Sequence, residues 1–131
     1  MKQPELVRLL LHKAGQDEAV LAKLLSDPEI DDETIGFHAQ QAVEKLLKAW
    51  LARLGVDYPK VHRLEALVDL LEANGKQLPE DLPDLGKLTP FATFFRYEDL
   101  PLAAPLNRTE ALDLVRRLRA FVESQIRDLQ V

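Results

Sequence analysis

Between Phe37 and Trp50 the chain sorts its side chains by helical period, and this division most constrains the fold. At 3.6 residues per turn, His38, Gln41, Lys45 and Lys48 fall within roughly 80° of one another. Gly36, Val43, Leu46, Leu47, Trp50 and Leu54 fall on the other side. Ala42 and Ala49 flank the polar stripe and are small enough to admit another backbone. The segment must bury one side against other helices. Its other side is a solvated face, a polar seam against a partner, or a binding stripe of imidazole, amide and ammonium groups.

Proline and glycine punctuate the remainder. A first helix is expected from about Pro4 to Leu25, with Gly15 as a weak point, and Ser26-Asp27-Pro28-Glu29 breaks it. Asp31 or Asp32 caps a second helix that runs to about Leu54 and stops at Gly55. A third spans about His62 to Ala73 and ends at Asn74-Gly75. Lys76 to Asp84 reads as a loop with a short helical turn. A fourth helix is expected from about Leu85 to Tyr97, delayed or kinked by Pro90. Glu98 to Leu106 is a second loop; Asn107, with Glu110 three residues on, opens the last helix. There Val115, Leu118, Val122, Ile126 and Leu129 form one apolar seam. The expected architecture is all-α: a single domain over residues 1–131, folded as an antiparallel bundle of four to five helices.

Composition narrows the function classes. With 131 residues and 47% hydrophobic content the chain can bury a real core. A net charge of -5 disfavours broad adhesion to nucleic acid or anionic membrane. The absence of cysteine excludes disulfides, thiol catalysis and cysteine-based zinc sites. The longest apolar runs are far too short to span a bilayer, so a cytoplasmic protein without a membrane role is expected. The five scattered glycines form no phosphate-cradling loop. The three histidines make no i, i+4 metal pair; a site gathering His38, His62, Glu98 and Asp99 is the weaker alternative to having no metal.

Two clusters remain as candidates. On the second helix, the plain interpretation is a solvated face with a Gln41–Lys45 pair and a Glu44–Lys48 ion pair. The second cluster is Phe94-Phe95-Arg96-Tyr97-Glu98-Asp99, where Arg96 suits a carboxylate or phosphate, or an internal bridge such as Arg96 to Glu44. His62 opens the third helix and His12 has no evident partner. The acidic run Asp27 to Glu33 reads as a solvated loop with a helix N-terminal charge preference.

Phe37-His38-Ala39-Gln40-Gln41-Ala42-Val43-Glu44-Lys45-Leu46-Leu47-Lys48-Ala49 closely resembles the signature helix of HEPN domains. His12-Lys13-Ala14-Gly15-Gln16-Asp17 resembles the family's first-helix Lys-Ala-x-x-Asp element. Tyr58 to Leu64 resembles its Pro-x-x-His-x-Leu segment, and Arg96-Tyr97-Glu98-Asp99 its Arg-Tyr-Pro-Asp element, with Glu98 in place of proline. The resemblance implies a helical bundle like the helical half of aminoglycoside nucleotidyltransferases, commonly a homodimer. Members of this type are often paired with a minimal nucleotidyltransferase that carries the catalytic acids. Other members are ribonuclease toxins of toxin–antitoxin systems that use an Arg-x4–6-His motif. No histidine follows Arg96 in this chain, so that mechanism lacks its acid/base.

The leading expectation is therefore a subunit that is not catalytic by itself and needs no cofactor. It binds a nucleotide or a nucleotidyltransferase partner through His38, Gln41, Lys45, Lys48, His62, Arg96, Tyr97 and Asp99. The alternatives are a ribonuclease toxin with an atypical site, such as His62 with Arg96, and a helical dimerisation module.

Overall fold

The computed structural model describes residues 3–92 and 106–128. Its elements are α1 (Gln3–Leu24), α2 (Asp32–Arg53), α3 (Leu64–Ala73), a 3₁₀ helix (Leu85–Phe91) and α4 (Arg108–Asp128). No strand occurs among the described residues. The bundle is built around α2, which packs on α1, α3, α4 and the 3₁₀ helix. Its apolar side carries Ile35, Val43, Leu46, Leu47, Trp50 and Leu51 into the core, with Ala39, Ala42 and Ala49 also buried. Val115, Leu118, Val122 and Ile126 of α4 close that core, while Leu129 lies outside the described residues. Trp50 is 1% exposed and meets Phe121 edge to face at 5.5 Å.

Helix α1 runs unbroken through Gly15. It is antiparallel to α2: Gln3 near the start of α1 donates to the Ala52 carbonyl near the end of α2, and Asp17 reaches His38. Helices α2 and α4 instead run in the same direction. Arg108 meets Asp32 where both begin, and Phe121 meets Trp50 farther along. The expected antiparallel order thus holds for α1 against its two neighbours. The long stretch between α2 and α4 returns the chain to the level at which α2 began.

Local chemistry explains the helix ends. At Gly55, with φ 74°, the Val56 amide donates to the Leu51 carbonyl and the Gly55 amide to Ala52. Gly75, with φ 77°, repeats the arrangement: Lys76 donates to Leu71 and Gly75 to Glu72. Both are left-handed stops that side chains with a Cβ resist. Asn107 caps α4 by accepting from the Glu110 amide at 3.0 Å.

Four expectations change. Asp31 is the N-cap of α2, but its carboxylate makes no capping bond. Asp32 is the first helical residue, and its carboxylate takes the Arg108 guanidinium at 2.8 Å. Arg108 also donates to the carbonyls of Leu25, Asp27 and Ile30, so the acidic α1–α2 turn is pinned to the start of α4 rather than loose in solvent. Helix α3 starts at Leu64, not His62, because His62 is drawn toward α2. The expected fourth α-helix is a 3₁₀ helix as far as Phe91; Pro90 has no amide to give an α-helical ladder, and the tighter i→i+3 pattern ends at Ala92. The rest of that expected helix and the loop to Pro105 lie outside the described residues.

Candidate functional site

Two carboxylates organise the polar side of α2. The first comes from α1. Asp17 falls in step with buried Ala14 and Leu21, and this spacing turns its carboxylate into the α1–α2 seam. It accepts from Lys45 Nζ at 2.5 Å and from His38 Nδ1 at 3.0 Å. An ionised carboxylate only accepts, so His38 Nδ1 is the donor in this pair. His38 also leans edge-on against Phe37.

The second is Glu44, one turn along α2 from both Gln40 and Lys48, and buried. It accepts from Gln40 Nε2 at 3.1 Å, Lys48 Nζ at 3.1 Å and His62 Nδ1 at 2.9 Å. Burial alone pushes the Glu44 carboxyl up. The hydrogen bonds from Gln40, His62 and Lys48, with the Lys48 charge, outweigh that and hold it below its ordinary value of 4.5. Gln40 also donates to the His62 carbonyl at 3.0 Å and accepts from Gln41 at 2.7 Å.

The Gly55 stop places His62 there. It turns the chain back so that residues 56–63 retrace α2. Tyr58 then lies beside Lys48, whose ammonium is 5.6 Å from the ring centroid, and His62 reaches Glu44. Burial raises the Tyr58 hydroxyl above its usual value. The His62 ring is 65% exposed, with Nδ1 on Glu44 and Nε2 free of that bond.

The described residues of the polar stripe therefore make two hydrogen-bonded clusters rather than a plain solvated face. His38 and Lys45 converge on Asp17, Lys48 and His62 converge on Glu44, and Gln41 joins through Gln40. Lys45 donates to Asp17 and Gln41 to Gln40, in place of the expected Gln41–Lys45 pair. The Glu44–Lys48 pair forms, but partly buried: the Lys48 side chain is 14% exposed. Arg96, Tyr97 and Asp99 lie outside the described residues, as do Glu98 and an Arg96–Glu44 bridge. His12 is exposed. Among the described residues no three of the side chains that bind metals are grouped closely enough to hold an ion.

Sequence reasoning about the site missed Asp17, Gln40 and Glu44, the residues that organise it. The signal was present. Asp17 occupies a core-facing position of α1, and Gln40 and Glu44 sit at i, i+4 spacing among apolar neighbours, where a polar side chain needs partners.

Chemically, the face holds two lysines against two carboxylates, and is balanced when both histidines are neutral. An imidazole braced through Nδ1 by a buried carboxylate, as at His62, can accept a proton at Nε2. No helix is long and apolar enough to cross a membrane among the described residues.

No curated protein and no solved structure is significantly similar to the chain. The HEPN domain family model matches residues 7–128, from α1 to the last described residue of α4. That span contains both the Asp17 and the Glu44 clusters, and the chain belongs to the HEPN domain family.

Proposed function

We propose that this chain is a non-catalytic, cytoplasmic HEPN subunit that acts as a homodimer with a minimal nucleotidyltransferase, in a toxin–antitoxin pair. It meets its partner through the face bearing His38, Gln41, Lys45, Lys48 and His62. The observation that supports this reading best is that both lysines of the face are already held by buried carboxylates. A nucleotide phosphate landing directly on Lys45 or Lys48 has to displace Asp17 or Glu44. A rigid, charge-balanced polar surface instead suits a protein interface, where complementarity fixes orientation. Nucleotide is then held at the joint between the subunits. In this reading Arg96 meets phosphate charge, Tyr97 stacks on the base and Asp99 orients them, roles assigned from side-chain chemistry alone.

The test is co-purification with the product of a neighbouring reading frame that carries a Gly-Ser followed by spaced aspartates. The expected result is a stable complex that binds ATP while this chain alone does not, and a complex weakened about thirtyfold by His62→Ala, the scale of one interfacial hot spot. Two proteins that elute separately at micromolar concentration, with no ATP binding by either mixture or subunit, would overturn the reading.

One observation favours a second reading, a ribonuclease with an atypical site. The exposed His62 ring braced by Glu44 has the orientation of a general base. Growth arrest on expression, abolished by His62→Ala with the fold intact, would select it. RNA left intact by concentrated protein would remove it.

A further inference from the structure

Opposite in character to the α2 face is a pocket between α3 and the stretch 78–86. Leu78, Leu82 and Leu85 alternate with acids and prolines, and a turn in which the Leu82 amide donates to the Pro79 carbonyl folds them over Val68. The result is a cavity of about 240 Å³ with an apolar floor of Val68, Leu78, Leu82 and Leu85. Its rim carries Glu65, Asp69 and Asp84, and among the described residues no basic side chain lines it.

These carboxylates are poorly compensated. Asp69 is exposed and has no hydrogen-bond or ion-pair partner among the described residues. Among the described residues the Asp84 carboxylate accepts only the Gly86 amide, at 2.9 Å. Glu65 takes the Thr89 hydroxyl at 3.1 Å, and among the described residues its one cation, Arg63, reaches it at 3.5 Å with the arginine side chain well exposed. Asp81 in the same loop does have a firm partner: Arg117 of α4 donates to its carboxylate at 2.6 Å. That exposed bond links the loop to α4. Gly86 completes the pocket, since a Cβ there would overlap Glu65 Oε1 and drive that carboxylate off the rim.

A ligand pocket for a small molecule runs to about 300–1,000 Å³, so this one has room for a long side chain rather than a free metabolite. An apolar floor under a negative rim matches a side chain with an aliphatic stem and a cationic head. We infer that this pocket receives an arginine or lysine side chain presented on an apolar segment of a partner protein. This does not rest on the α2 face or on the partner being a nucleotidyltransferase.

The test is an amide-shift titration of the isotopically labelled full chain with the peptide acetyl-Leu-Arg-Leu-amide, and in parallel with acetyl-Leu-Gln-Leu-amide. The arginine peptide is expected to give saturable shifts at the Asp69, Leu82 and Gly86 amides, and the glutamine peptide to bind several-fold more weakly. Asp69→Asn and Asp84→Asn each remove a charge, and the side-chain carbonyl left by Asp84→Asn can still accept from the Gly86 amide. Each is expected to weaken the arginine peptide about two- to fivefold, the scale of an exposed ion pair. Equal affinity for the two peptides would mean a merely apolar groove. Shifts that move with protein concentration alone would mean a second copy as the occupant. Absence of saturable shifts at millimolar peptide would mean no receptor. Any of these overturns the inference.

Discussion

Along its apolar side α2 is closed by shape: Trp50 meets Phe121 edge to face, and Gly36 leaves room for the Phe91 ring. Along its polar side it is closed by charge: Asp17 gathers His38 and Lys45, and Glu44 gathers Gln40, Lys48 and His62. Dispersion and burial hold the first without direction, and its strength varies little with pH. The second depends on ionisation, and each partner lost leaves a carboxylate or ammonium partly out of water. A helix sealed by both means presents a face whose side chains are fixed, which is what a recognition surface requires.

The comparison breaks most visibly at Trp50. It is the largest fully buried side chain, and Trp50→Ala is expected to cost about 3–5 kcal/mol in urea unfolding. The loss should be the same at neutral and mildly acidic pH. Glu44→Ala tests the other side. Removing one member of a buried ionic network costs about 3–5 kcal/mol when the partners stay buried; His62 and Lys48 reach solvent, so about 3 kcal/mol is expected. If Glu44→Ala proves neutral, the polar side contributes no closure and is only a surface.

Gly36→Ala sharpens the apolar side. A Cβ at this position would overlap the Phe91 ring, so the ring or the 3₁₀ helix has to move. An overpacking cost of about 1–3 kcal/mol is expected by thermal unfolding, and pairing it with Phe91→Leu should recover part of it. A fully tolerated alanine would show that the 3₁₀ helix is loosely seated on α2.

How much of this was legible beforehand depends on how local each cause is. The stops at Gly55 and Gly75 and the Asn107 cap are decided within a few residues, and each stands where the chain's own punctuation puts it. The HEPN bundle is legible in helical period and motif order. The start of α3 is not, because His62 is held by Glu44 18 residues earlier, a tertiary pull that no helix rule contains. The same applies to the polar stripe. Its residue types are plain in sequence, but Lys45 finds Asp17 28 residues away, and only the register of α1 against α2 decides that meeting. Arg108 was overlooked for the same reason, since its carbonyl partners carry no side-chain signature.

The finest distinction between the two sides of α2 is their response to acid. The Glu44 carboxyl is held below 4.5 in the folded protein: burial opposes its charge, and the Gln40, His62 and Lys48 donors more than offset this. A carboxyl whose folded value is depressed binds its proton more readily in the unfolded chain. Its contribution to stability is therefore complete above its unfolded value and is lost as pH falls through the lower folded value. Wild-type stability should fall on that account below about pH 4.5, a limb that Glu44→Gln removes because glutamine does not titrate. Trp50→Ala should shift the whole curve downward and keep the limb. Urea midpoints measured from about pH 6 to about pH 3 in the three proteins separate the cases. An acid limb as steep in Glu44→Gln as in the wild type would assign the loss to other groups and would leave Glu44 held by packing rather than by its charge.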